Sequence, residues 1–163
     1  MPDLDSTMQW KVDVTQFTAA MQEAKKALSN TNSEFRLTTS TMDKWSTSSA
    51  GIEAKLKQLG GQLEANQRIL DIYTNAWEEA KEEFGETSPE AERLAKQIEN
   101  QQIKVNKAQV QIDKYTNQLN QMQAEQKESE TATEKLNSTI EEQESKVAAL
   151  KNEYKDADRK SVV

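Results

Sequence analysis

Apolar residues recur along this chain at alternating spacings of three and four, from Val14 to Ala157. With every position divisible by seven taken as a, 18 of the 21 a residues from Val14 to Tyr154 are apolar. Of the 21 d residues from Phe17 to Ala157, 14 are apolar, whereas the whole chain is 34 % hydrophobic. A 3-4 pattern held this long is the mark of helices packed along a narrow seam. It therefore decides between helix and the disordered chain that the same composition could describe. Strand needs alternation of period two, and only Trp10-Lys11-Val12-Asp13-Val14 shows it, so a short extended piece is expected there. Seams this narrow do not close a globule. The pattern predicts an all-α, elongated antiparallel helical hairpin or coiled coil with long helices.

Composition narrows the function. The chain has 163 residues with no Cys and no His, which excludes disulfides, Ser-His-Asp and Cys-His mechanisms, and zinc sites built from those ligands. No EF-hand spacing, HExxH motif or Gly-rich phosphate loop occurs. Net charge is −7, and no basic stripe offers a footprint for nucleic acid or for an anionic membrane surface. No window approaches the 18 apolar residues of a membrane span. Met1-Pro2-Asp3-Leu4-Asp5 lacks the cationic and apolar regions of a signal peptide. The acidic pairs Glu78-Glu79, Glu82-Glu83 and Glu141-Glu142 lie mostly off the seam, where a solvated face is expected rather than acid–base catalysis. Trp10, Trp45 and Trp77 fall on d, d and a, and are expected in the core. No enzyme activity, cofactor or metal is expected.

Punctuation divides the pattern. Residues 1–13 form an N-terminal arm, and an amphipathic helix over about 14–46 ends in the Ser/Thr-rich break Ser46-Thr47-Ser48-Ser49-Ala50-Gly51, so that 14–51 is one segment. Gly60-Gly61 reads as a kink or weak point in a second helix over about 52–84, because Leu59 and Leu63 keep the seam across it. Phe84-Gly85-Glu86-Thr87-Ser88-Pro89-Glu90 is the clearest turn. Gly85 suits a left-handed position after a helix, Ser88 an N-cap and Pro89 the first helical position. Glu90 and Glu92 then meet the positive end of the helix dipole. A connection this short makes its flanking helices antiparallel neighbours, so 52–122 is read as a hairpin turning at 85–88. The third helix runs on to about 157, giving a helical coiled-coil extension over 123–163 with a frayed C-terminus. Fraying or a hinge is also expected at Gln123 to Lys135, where the seam offers only Gln126, Ser129 and Thr133.

An unchanged phase across the turn pairs each a with a d. Paired residue numbers sum to 171, placing Trp77 by Leu94, Tyr73 by Ile98, Leu63 by Ala108, Leu59 by Ile112, Leu56 by Tyr115 and Ile52 by Leu119. A one-heptad slip, summing to 178, is the other register. Ile69, Ile72 and Ala76, beside Leu70, Tyr73 and Trp77, widen the apolar face of helix two beyond what one partner helix covers, so helix one or a second copy is expected to cover it. Self-association into a homo-oligomer through this seam is therefore expected. On the rules for parallel coils, Ile98, Val105, Ile112, Ile140 and Val147 at a, with Leu94, Leu136 and Leu150 at d, favour two strands, but a hairpin weakens that rule, so association is expected and not a particular number of copies. The 12 Asn and Gln residues over 97–123 form a neutral helix surface suited to close packing against another helix.

The order of several short motifs carries a resemblance. Lys11-Val12-Asp13-Val14-Thr15-Gln16-Phe17, Asn32-Ser33-Glu34-Phe35, Met42-Asp43-Lys44-Trp45-Ser46, Leu56-Lys57-Gln58-Leu59 and the Phe84-Gly85-Glu86-Thr87-Ser88 turn follow one another between long helices. In this the chain resembles, over about residues 9–155, the N-terminal region of tape measure proteins from tailed phages and prophages of Gram-positive bacteria. The resemblance implies a structural protein of the phage tail, made in the host cytoplasm, that sets tail length and works with the tail tube and tail assembly chaperones. Tape measure chains are usually far longer, with apolar membrane-active segments downstream, so the resemblance implies a truncated gene or a fragment. Two other classes fit the residues. One is a bacterial coiled-coil scaffold or tether. The other is a secreted helical hairpin of the WXG type, although Trp45 lies six residues from Gly51, not two.

Overall fold

The computed structural model describes residues 14–162. Among them the chain is all-α, with three long helices, one 3-10 turn and no strand. Helix α1 spans Val14–Thr39, the 3-10 turn Trp45–Thr47, helix α2 Ser49–Phe84 and helix α3 Pro89–Ser161. The N-terminal arm and the extended piece expected at its end, up to Asp13, lie outside the described residues, as does Trp10. The chain divides into a first unit ending at Leu119 and a second starting at Asn120.

Helix α1 stops seven residues short of the expected boundary. In Thr38-Thr39-Ser40 the hydroxyls turn back onto the carbonyls of Glu34, Phe35 and Leu37 at 2.9, 2.8 and 2.7 Å. Such local bonding competes with continued helix. Helix α2 begins three residues earlier than expected, because Ser48 is its N-cap: the Ser48 Oγ accepts the Gly51 N–H at 3.0 Å. Helix α2 then continues through Gly60-Gly61 without a break.

In the first unit α1 runs antiparallel along α2. Met21 and Ala24 pack on Ile69, with Phe17, Leu28, Ile72 and Tyr73 around them. Further along, the Asn32 Oδ1 accepts from the Nε2 atoms of Gln58 and Gln62 at 2.8 and 2.7 Å. The close approach of the two helices explains Gly61: a Cβ there would collide with the Thr31 methyl, whereas at Gly60 it would meet nothing. A glycine pair that looks like a weakness in the sequence is therefore a point of contact.

The turn between α2 and α3 lies where its residues place it. The Gly85 N–H donates to the Lys81 carbonyl at 2.9 Å and closes α2. Gly85 has φ 92° and ψ 156°, which is not the left-handed helical conformation expected but the more extended positive-φ region that is essentially confined to glycine. The Ser88 Oγ donates to the Gly85 carbonyl at 2.8 Å and accepts the Ala91 N–H at 3.2 Å. Pro89 then opens α3, with Glu90 and Glu92 in its first turn. Ala76 and Ala80 of α2 pack on Leu94 of α3, with Trp77 and Tyr73 against the same cluster.

Helix α3 is unbroken from Pro89 to Ser161, so neither the fraying expected over 123–135 nor an end at 157 is found. Good helix formers and bonds four residues apart support that stretch, as between the Gln126 Nε2 and the Glu130 Oε1 at 3.0 Å. Described residues from Gln123 onward are all exposed.

Candidate functional site

Among the described residues no group of three or more acidic, His or Cys residues is placed to hold a metal ion, and no helix is long and apolar enough to cross a membrane. The acidic pairs Glu78-Glu79, Glu82-Glu83 and Glu141-Glu142 are exposed. What the structure offers instead is an internal seam and one open helix face.

Most seam residues expected from the sequence lie inside the first unit. Leu59, Ile69, Leu94 and Val105 are buried, while Leu56, Leu63, Leu70, Ile72, Tyr73, Trp77, Ile98, Ile112, Tyr115 and Leu119 are half-buried. The wide face of α2 is where one expectation is corrected. Helix α1 of the same chain covers Ile69, which is 5 % exposed, and packs against Ile72 and Tyr73. Of the two covers expected for this face, helix one or a second copy, the structure shows helix one, so Ile69 serves an intramolecular contact and not the self-association expected through it.

At the heart of the α2–α3 seam two polar side chains replace apolar ones. Asn66 and Gln101, both at d, are buried, Gln101 being only 3 % exposed. The Gln101 Nε2 donates to the Asn66 Oδ1 at 2.8 Å and to the Asn66 carbonyl at 2.9 Å. The pair fixes the register. When paired numbers sum to 171, residues 66 and 101 occupy neighbouring layers; the one-heptad slip moves them apart. A buried polar pair costs little when bonded and much when separated, and the slip, which sets Asn66 against Ile112 and Gln101 against Trp77, leaves both amides without their partner.

A second cluster, centred on Trp45, joins three helices. The Trp45 ring meets Phe35 of α1 edge-on at 5.2 Å and Tyr115 of α3 at 6.0 Å. The Lys55 Nζ of α2 lies 5.0 Å from the Phe35 centroid and 5.9 Å from that of Trp45. Partial burial pushes the Lys55 ammonium below the ordinary lysine range, while its bond to the Gln58 Oε1 at 2.8 Å holds it in place. The Gln118 Nε2 donates to the Ser46 carbonyl at 3.0 Å and ties the 3-10 turn to α3. Gly51 is required here, because a Cβ would run into the Trp45 carbonyl. Only the aromatic character and seam phase of Trp45 were legible in the sequence; its role as the plug of the α1–α2 connection was not.

The open face is in the second unit. Leu136, Ile140, Val147, Leu150 and Tyr154 continue the a and d positions along α3 and are 46–76 % exposed. Two shallow hollows lie along this stripe, one beside Ile140 and Val147, the other beside Leu150 and Tyr154. Comparison with known protein families, with curated proteins and with solved structures finds no match to this chain.

Proposed function

We propose that the chain is a structural helical segment of a phage tail tape measure protein, acting in tail assembly and in the determination of tail length. The observation that supports this best is α3, a single helix of 73 residues. A continuous helix adds about 1.5 Å for each residue, so its length is a property that insertion and deletion change in proportion. The order of motifs from Lys11 to Ser88, which resembles that of tape measure proteins, supports the reading. On this reading the chain is made in the host cytoplasm and ends in the virion tail, with the tail tube and the assembly chaperones as its partners and no nucleic acid or membrane contact from this segment.

The test is made in the phage or prophage that encodes the chain. Removing residues 123–150 deletes four heptads and keeps the phase of the seam. Electron microscopy should then show tails shorter by about 42 Å, at about 1.5 Å per residue, and mass spectrometry should find the chain in purified tails. Tails of unchanged length, with the chain left in the cell fraction, would identify a cytoplasmic scaffold or tether. Release into the medium apart from any particle would identify a secreted hairpin.

A further inference from the structure

We infer that the open stripe of α3 pairs with the same stripe of a second copy of this chain, antiparallel and in one register, centred between Val147 and Leu150. The stripe continues the a/d phase without cover. What selects the occupant is the charge beside it. Glu144 and Lys151 occupy e, Lys146 and Glu153 occupy g, and none of the four makes an ion pair among the described residues.

In a parallel, in-register pair each g faces the e five residues on in the other helix. That sets Glu125 against Glu130, Lys146 against Lys151 and Glu153 against Asp158, every charged pair being alike. Reversing one helix makes e face e and g face g. With Val147 of one copy opposite Leu150 of the other, Glu144 meets Lys151 and Lys146 meets Glu153, each twice by symmetry. Ile140 then lies against Ala157, and Gln143 against Tyr154. A shift of one heptad one way sets Lys151 on Lys151 and Glu153 on Glu153. A shift the other way sets Glu144 on Glu144 and Lys146 on Lys146. The stripe is thus complementary to itself about a two-fold axis, as an isologous dimer requires, and like charges guard the adjacent registers. The inference is independent of the assembly the chain serves.

The full chain, of 18.5 kDa, should sediment as a dimer at high micromolar concentration. A chain carrying Lys146→Glu and Lys151→Glu makes all four flanking groups acidic, and one carrying Glu144→Lys and Glu153→Lys makes them all basic. Each alone should be monomeric, with self-affinity lowered roughly tenfold or more, and an equimolar mixture should form a one-to-one complex. Orientation is read separately with introduced thiols, since the chain has no cysteine of its own. Ile140→Cys mixed with Ala157→Cys should give the mixed disulfide. A monomeric unmodified chain, charge-reversed chains that still self-associate, a mixture that stays monomeric, or a disulfide joining two Ile140→Cys chains would each overturn the pairing.

Discussion

The four glycines show how little a residue type says without its surroundings. Gly60 is exposed within α2 and faces open space, so Gly60→Ala should raise stability by about 0.5–1 kcal/mol through helix propensity alone. One residue on, the sign reverses. The Thr31 Oγ1 donates to the Leu28 carbonyl at 2.8 Å, which pins the rotamer and leaves the methyl in the way of a Cβ at 61. Gly61→Ala should therefore lower the melting temperature. Gly51→Ala should lower it further, because the obstacle is the Trp45 backbone. Gly85→Ala has room, yet a φ of 92° with ψ 156° costs a residue with Cβ about 1–3 kcal/mol. The exposed Glu86→Ala beside it should change little. Thermal melting of the five variants checks the order, and equal effects at 60 and 61 would show that α1 does not approach α2 there.

At the scale of elements, sequence and structure agree where periodicity is long and disagree where the helix ends depend on single hydroxyls. Period was enough for three helices, and the residue types and shortness of the Gly85–Pro89 turn were enough for its place and for the antiparallel sense of α2 and α3. The end of α1 was not legible, since Met42 and Trp45 keep the a/d pattern beyond Thr39 while Thr38, Thr39 and Ser40 turn the backbone out of the helix. Likewise the seam pattern marks Asn66 and Gln101 only as faults, because an apolar scale cannot show that two faults face each other. Their pairing makes a prediction about α2 and α3. Asn66→Leu or Gln101→Leu alone strands a buried amide and should cost about 1–3 kcal/mol. The double variant should recover most of this loss while relaxing the choice between registers. A double-mutant cycle in denaturant measures the first effect. Paired spin labels at Leu63 and Ala108 measure the second; a single short distance in the double variant would show that the amides do not select the register.

Across the whole molecule, the two units differ in what holds their helix together. In the first unit α1, α2 and the start of α3 share the seam, with Ile52 and Leu59 wholly inside. From Gln123 onward every described residue is exposed, so helix there rests on propensity and local bonds unless another chain covers the stripe. Amide hydrogen exchange should consequently be slow over 59–80 at any protein concentration. Over 136–157 it should be fast in dilute solution and slow as concentration rises. Concentration-independent exchange over 136–157 would remove the second copy from the account. The Asn66–Gln101 bond has a further consequence, in mechanics. Apolar seams yield to axial shear gradually, one layer at a time, because each lost contact is replaced by a similar one a heptad away. A bonded amide pair has no such replacement. Pulled along its axis, the α2–α3 hairpin should behave like a latch, carrying load at one rung and, once that rung parts, sliding by steps of seven residues.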